Sequence, residues 1–82
     1  MYSVYILLCE DESLYTGIAT DLPRRIQEHR NGTGAKYTRS HKPVRVLHSE
    51  SFPTRGKAQK REAEIKRWTR SKKLAFIRQK HT

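Results

Sequence analysis

The sequence contains no long apolar run. Apolar residues make up 34% of the 82 residues, and no stretch approaches the roughly 20 consecutive apolar residues of a membrane-spanning helix. No basic segment precedes an apolar one at the N-terminus, so a signal peptide is not expected. A chain of this length has room for one small hydrophobic core. We therefore predict a single domain over residues 1–82 that does not enter a membrane.

Cysteine is almost absent, since Cys9 is the only one in the sequence. A single thiol cannot form an internal disulfide, which fits the reducing conditions of the cytoplasm. Cys9 and the four histidines also lack the paired spacing of zinc ligands. The sequence therefore predicts a cytoplasmic protein with neither a disulfide framework nor a structural zinc site.

Acidic side chains are scarce, at eight against eighteen Lys and Arg, and the net charge is +10. Residues 1–20 carry three acidic side chains and no Lys or Arg, whereas residues 54–82 carry eleven Lys and Arg and two glutamates. A solvated surface kept for solubility is one explanation, but added acid serves solubility better than added base. A membrane surface is a weaker alternative, because the basic helix lacks a strong apolar stripe. Nucleic acid is the favoured partner.

Two strand-like runs open the chain. Residues 2–9 and 13–19 are rich in β-branched, aromatic and apolar side chains, with a three-residue acidic turn between them. This loop length pairs Tyr5 with Gly17 and places Tyr5 and Tyr15 on one face, since strand side chains alternate. Taken alone, two strand tyrosines would be ordinary packing residues. The opposite face is the predicted core face, and it carries Val4, Ile6, Leu8, Leu14 and Ile18.

The rest of the chain reads as three helices and one strand. A first helix follows Thr20 or Asp21, either of which can act as its N-cap, and it ends at Asn31-Gly32. A strand and two further helices are predicted over residues 44–49, 53–69 and 72–79, the last of them capped by Ser71. The predicted fold is α+β, with a three-stranded antiparallel sheet flanked by helices in the order β-β-α-β-α-α.

Charged residues on the two longer helices are candidate site residues. Arg25 and His29 lie four residues apart and share a helix face, although such a pair is most often solvated. Glu62 falls on the same helical stripe as Ala58 and Ile65, and a carboxylate on a core-facing stripe is costly unless something pairs with it. Its partner is either Lys66, four residues on, or a divalent metal at the edge of the core.

Two further sets of residues are candidates for nucleic-acid contact. The loop over residues 32–43 mixes glycines, hydroxyls and cations around Tyr37, including Lys36 and Arg39. This mixture suits phosphate contacts and a stacking platform for a base, and it also suits an ordinary surface loop. Basic side chains crowd the last two helices, and we select Lys60, Arg61 and Arg67 from them.

Five short motifs in order resemble the GIY-YIG nuclease family, in particular its small stand-alone members, over nearly the whole chain. They are Val4-Tyr5-Ile6, Tyr15-Thr16-Gly17, the pair Arg25 and His29, the segment 34–39, and Glu62, which matches the metal-binding glutamate. The chain also departs from the family pattern. The first motif lacks its glycine, Ile18 stands where some members carry a lysine, and no asparagine follows the glutamate.

The resemblance implies a role for each of these residues. Glu62 would hold a single divalent cation, Mg²⁺ or Mn²⁺, and Arg25 would grip the scissile phosphate through its planar fork. Tyr5 or Tyr15 would orient or deprotonate the attacking water, and His29 would orient water or shuttle a proton. The implied function is an endonuclease that hydrolyses phosphodiester bonds in DNA by structure rather than sequence, as in DNA repair or recombination.

Two other functions stay open at this point. A nucleic-acid-binding module without catalysis would keep the fold and the basic surface, and the missing lysine and asparagine favour it. The retained tyrosines, Arg25, His29 and Glu62 favour the enzyme. A third reading is a nuclease whose substrate choice is supplied by a partner protein, since 82 residues leave little surface for a specificity domain.

Overall fold

Three strands and three helices make up the fold. The computed structural model describes residues 1–33 and 41–81. Its elements are β1 (Tyr2–Cys9), β2 (Leu14–Ala19), α1 (Leu22–Arg30), β3 (Pro43–Phe52), α2 (Arg55–Lys66) and α3 (Arg70–His81). The strands form one antiparallel sheet in the order β2-β1-β3, which confirms the predicted fold class and element order. Among the described residues, no helix has the length and apolar character needed to cross a membrane.

The β1–β2 hairpin has the predicted register. Tyr5 pairs with Gly17 and Leu7 pairs with Tyr15. The amide of Cys9 donates to the carbonyl of Ser13 at 2.9 Å, closing a three-residue loop. Glu12 adopts φ 67°, in the left-handed region that such a loop uses for its last residue. The apolar alternation and the odd loop length therefore place both motif tyrosines on one face, as predicted.

Both faces of the sheet are packed, which corrects the prediction of a single core face. On one face, Val4 and Ile6 are buried against Ala58 and Ile65 of α2. On the other, the buried side chains of Tyr5, Leu7 and Ala19 pack against Leu22 and Ile26 of α1. β1 is the central strand, so a helix covers each side of it and its side chains are apolar at consecutive positions. Tyr5 is consequently a core residue as well as a candidate site residue.

The start of the last helix differs from the sequence prediction, because an earlier residue caps it. Asp21 caps α1, and Thr54 caps α2 by accepting the amide of Lys57. Thr69 accepts the amide of Lys72 at 3.2 Å, so it, and not Ser71, satisfies the start of α3. The sequence analysis predicted that α2 would run to Thr69. Because Thr69 instead caps α3, α2 ends earlier, at Lys66.

Strand β3 is longer than predicted. It begins at Pro43 and ends at Phe52, because it pairs with β1 along the whole of that strand. Two register irregularities interrupt the pairing, one between Ile6 and Leu7 and one between Leu8 and Cys9. Leu8, predicted to face the core, is half-buried and lies beside the second irregularity.

Candidate functional site

Two tyrosines and a histidine form a compact cluster beneath α1. The hydroxyl of Tyr5 lies 2.8 Å from Nε2 of His29. The Tyr15 ring packs edge-on to the His29 ring at 5.3 Å, and the two tyrosine ring centroids are 6.3 Å apart. Tyr5 and His29 are each 1% exposed, whereas Tyr15 is half-buried. The cluster therefore has a buried pair and one phenol open to solvent.

Gly17 makes room for this cluster. A Cβ atom at position 17 would lie 2.6 Å from the Tyr5 hydroxyl oxygen and 2.8 Å from Tyr5 Cζ. It would also lie 3.0 Å from Cε2 of Tyr15. The Tyr5 ring thus crosses directly over the backbone of its cross-strand partner, and only glycine leaves the space.

Burial fixes the protonation of the Tyr5–His29 pair. It raises the pKa of Tyr5 to about 12, although a hydrogen bond with Arg25 acts in the opposite direction. Burial also lowers the pKa of His29, and the positive charge of Arg25 lowers it further. At neutral pH the phenol therefore keeps its proton and the imidazole is neutral. Which of the two groups donates in their hydrogen bond depends on the tautomer of His29.

Arg25 lies beside the phenols with its guanidinium partly committed. Its Nη1 donates to Oε1 of Glu28 at 3.1 Å. Its Nε is buried and has no hydrogen-bond partner among the described residues. A buried guanidinium nitrogen without an acceptor is costly unless a ligand or water supplies one. Arg25 is therefore held in place by Glu28 while keeping capacity for an anionic ligand.

Glu62 acts on the pKa of Tyr5 through its charge. Its helix, α2, packs on the face of the sheet opposite to α1, but its negative charge is one of the causes that raise the pKa of Tyr5. The carboxylate is 23% exposed and lies 3.4 Å from the ammonium of Lys66. The structure thus places four of the predicted site residues next to one another, namely Tyr5, Tyr15, Arg25 and His29. A convergence of Glu62 on the same cleft stays a prediction.

The residues near Glu62 suit one kind of metal ion. Within residues 1–33 and 41–81, no group of three or more His, Cys, Asp or Glu side chains lies close enough to enclose a metal. Mg²⁺ does not need such a cage, because it commonly binds one or two carboxylates and keeps several waters. A single, partly exposed glutamate fits that pattern, whereas it would not fit a structural zinc ion.

The candidate nucleic-acid contacts divide into three groups. Lys60 and Arg67 are exposed. Arg61 binds Glu50 of β3 through two bonds of 2.8 and 3.1 Å and also contacts Glu64. The Arg61 guanidinium lies over the rings of Trp68 and Phe76 as well, at 5.2 and 5.4 Å from their centroids. These contacts favour a structural role for Arg61. Lys36, Tyr37 and Arg39 lie outside the described residues.

Sequence reasoning missed Glu50, the residue that joins α2 to β3. Glu50 accepts from Arg61 and from Nε2 of the buried His48, at 2.8 Å. Burial opposes ionisation, but these hydrogen bonds hold the pKa of the Glu50 carboxyl below its ordinary value of 4.5. Eleven residues separate Glu50 from Arg61, so no local spacing rule could find the pair.

The Glu50–Arg61 pair makes the stability of the fold depend on pH. Because the folded-state pKa of Glu50 is lowered, its stabilising effect is present above about pH 4.5 and is lost as the pH falls through the folded-state value. We expect Glu50→Gln to lower the free energy of unfolding at pH 7 by about 1–2 kcal/mol. Below pH 4.5, the free energy of unfolding of the Glu50→Gln variant should fall less steeply with pH than that of the wild type. Urea melts at several pH values measure both effects, with Glu10→Gln as an exposed control. Parallel pH profiles for Glu50→Gln and wild type would contradict the assignment.

Comparison with known proteins agrees with this architecture. Residues 1–75 match the family model described as the GIY-YIG catalytic domain. A UPF0213 protein of Haloquadratum walsbyi is 59% identical over 70 residues, covering 85% of this chain and 79% of that protein. A UPF0213 protein of Staphylococcus saprophyticus is 51% identical over 74 residues, covering 90% of each.

Two solution NMR structures resemble the fold over 98% of the chain. One is a UPF0213 protein from Bacillus halodurans, with 44% identity, a TM-score of 0.63 and 86% of that chain covered. The other is a protein from E. faecalis, with 42% identity, a TM-score of 0.66 and 85% of that chain covered. The strand order, the motif residues and these matches together show that the chain belongs to the GIY-YIG domain family.

Proposed function

We propose that this protein is a divalent-metal-dependent endonuclease that hydrolyses phosphodiester bonds in DNA, selecting its substrate by structure rather than sequence. The observation that carries the proposal is the Tyr5–His29 hydrogen bond of 2.8 Å, set between Tyr15 and Arg25. A buried phenol hydrogen-bonded to a neutral imidazole is suited to proton movement next to a phosphate when the tautomer leaves Nε2 free to accept, and the Arg25 guanidinium beside it is suited to hold that phosphate. The family match supplies the reaction class.

Arg25 binds the scissile phosphate in this proposal. Its Nη1 stays with Glu28 and its Nε is buried, while the side chain as a whole is 35% exposed, so a phosphate would meet the exposed edge of the guanidinium. The guanidinium is planar and always charged, so it can hold two oxygens while negative charge develops on the phosphate. Glu28 fixes the orientation of the fork, and its replacement would loosen Arg25 without removing the cation.

Tyr5 and His29 form a proton relay. As a water oxygen forms its bond to phosphorus, Tyr5 takes the proton of that water and passes its own proton to Nε2 of His29. Tyr5 ends the step as a phenol and His29 as an imidazolium, and the leaving oxygen takes a proton from solvent. The high pKa of Tyr5, about 12, makes a free tyrosinate unfavourable, so the transfer to His29 is needed. The half-exposed Tyr15 orients the water.

Glu62 would hold the divalent cation, Mg²⁺ or Mn²⁺. When bound, that ion neutralises part of the charge that develops on the phosphate. The carboxylate is partly exposed and pairs with Lys66, a side chain 53% exposed, so a cation can replace the lysine at little cost.

The basic side chains of α2, α3 and the loop over residues 32–43 hold the DNA backbone. Exposed cations such as Lys60 and Arg67 contact phosphates without reading bases. On the sequence pattern alone, Lys36 and Arg39 would add phosphate contacts, and Tyr37 would add an aromatic ring on which a base can stack. We extend this proposal to a single domain over residues 1–82 acting in the cytoplasm, with a protein partner that narrows substrate choice.

Binding should therefore be strongly salt-dependent and nearly independent of sequence. If about six phosphates are contacted, affinity should fall about a thousandfold between roughly 50 and 200 mM salt. Fluorescence anisotropy with two DNA duplexes of unrelated sequence measures the slope. An affinity that does not change over this salt range would contradict a backbone-contacting surface.

Cleavage of a labelled panel tests the enzyme proposal directly. The panel contains duplex, single-stranded, flapped and overhanging DNA, with RNA versions of each, incubated with Mg²⁺, with Mn²⁺ or with a chelator. We expect cleavage of DNA that contains a structural discontinuity, and loss of that cleavage in the chelator. Salt-sensitive binding without cleavage of any substrate would instead identify a nucleic-acid-binding module. The raised pKa of Tyr5 favours that alternative if the relay to His29 does not operate.

A further inference from the structure

A cavity of about 460 Å³ adjoins the tyrosine–histidine cluster. It lies where β2 ends and the chain turns into α1, and Arg55, the first residue of α2, also lines it. Arg25 lines the cavity as well and interacts with Tyr5 of the cluster, so this one side chain borders both. A ligand bound at Arg25 can therefore extend directly into the cavity.

The charged residues of the cavity leave a net cationic lining. Arg24, Arg25 and Arg55 face two carboxylates, Asp21 and Glu28. Both carboxylates already have partners, because Asp21 accepts the backbone amide of Arg24 and Glu28 lies 3.1 Å from Arg25 and 3.7 Å from Arg24. Arg55 has neither an ion pair nor a side-chain hydrogen bond with any residue in the ranges 1–33 and 41–81. One guanidinium at the mouth of the cavity is thus uncommitted.

Most of the remaining lining is apolar or aromatic. Tyr2, Ile18 and Ala19 line the cavity together with one hydroxyl residue, Thr20. Guanidinium groups next to an aromatic ring and aliphatic side chains match a phosphate together with the flat face of a base. The volume of about 460 Å³ lies in the usual range for small-ligand sites.

We propose that this cavity binds the single nucleotide adjoining the scissile phosphate, with Arg55 contacting the next phosphate along the same strand. The inference rests on the proposed function and names its substrate class. A base whose flat face lies against the Tyr2 ring is not stacked within a duplex, so the strand would be unpaired at this position. The favoured substrate is a strand whose nucleotide next to the cleaved bond is unpaired, since extruding a paired base costs a few kcal/mol.

Binding of a minimal probe without metal tests this proposal. Thymidine bisphosphate, with phosphates on the 3′ and 5′ oxygens, is titrated into isotope-labelled protein and followed by amide chemical shifts in NMR. We expect shifts concentrated at Ile18–Asp21 and at Arg55. Arg55→Gln should weaken binding about tenfold, as expected for one charge-assisted phosphate contact. Arg45→Gln, which removes an exposed cation from β3, should leave the affinity unchanged.

The outcomes separate this inference from the enzyme proposal. Equal affinity in wild type and Arg55→Gln, or shifts confined to the outer faces of α2 and α3, would overturn the cavity assignment even if DNA is cleaved. Localised binding that depends on Arg55 supports the assignment even if no substrate in the panel is cleaved. In an active protein, Arg55→Gln should also reduce cleavage next to an unpaired nucleotide more than Arg45→Gln does, and equal reductions would contradict the proposal.

Discussion

Glu62→Gln should abolish metal-dependent cleavage while leaving the fold and DNA binding nearly intact. Glutamine keeps the shape of the side chain and one acceptor oxygen, but it loses the charge that attracts Mg²⁺ or Mn²⁺. The lost pairing with Lys66 costs at most about 1 kcal/mol, because that ammonium is 53% exposed. Removing the negative charge near Tyr5 also removes one cause of its raised pKa. Cleavage rates and thermal melts of the purified variant measure the two effects.

The size of the stability change without metal, together with the response to metal, distinguishes a metal ligand from a buried structural ion pair. Without metal, the carboxylate has the 53% exposed Lys66 as its partner, so Glu62→Gln should melt close to wild type, whereas breaking a buried pair would cost several kcal/mol. Adding Mg²⁺ or Mn²⁺ should raise the Tm of wild type but not that of the variant. Glu10→Gln, an exposed glutamate in the hairpin turn, controls for net charge. A variant that melts well below wild type without metal and still cleaves would contradict the metal assignment.

Gly17→Ala should disrupt the tyrosine–histidine cluster and destabilise the protein. The added methyl would come within 2.6–3.0 Å of atoms of Tyr5 and Tyr15, so the Tyr5 ring must move away from His29 or the strands must separate. Overpacking of this kind typically costs about 1–3 kcal/mol. If Tyr5 moves, the proposed proton relay is broken. The cleavage rate should then fall by a larger factor than the loss of folded protein can explain. Urea unfolding gives the first effect, and the cleavage rate measured well below the unfolding transition gives the second.

Gly56→Ala is the matched control. A Cβ at position 56 meets no atom within 4 Å, and Gly56 lies in the first turn of α2. Because alanine favours a helix over glycine by about 0.5–1 kcal/mol, this change should leave stability the same or raise it. The two glycine substitutions are thus expected to have opposite signs. Equal melts for Gly17→Ala and wild type would show that the Tyr5 ring does not lie over Gly17.

The sequence by itself determined the hairpin and the ends of α1. Apolar alternation with a three-residue loop is consistent with only one register, and the structure has that register, with Tyr5 opposite Gly17. Asp21 and the Asn31-Gly32 stop fix α1, where Gly32 adopts φ 77°. These features follow from interactions between residues a few positions apart, which spacing alone can specify. The family motifs are likewise short and local, and so they could be found in the sequence.

Only the tertiary structure decided which side chains meet. The burial that raises the pKa of Tyr5 comes from α1 packing on a second core face, which the alternation of β1 did not predict. The bond between Arg61 and Glu50 links α2 to β3, and the cavity joins the end of β2 to Arg55 of α2. Such contacts depend on how whole elements pack, and residue spacing along one element carries no information about them. For the same reason Glu62 could be placed on its helical stripe from sequence, whereas its electrostatic effect on Tyr5 required the fold.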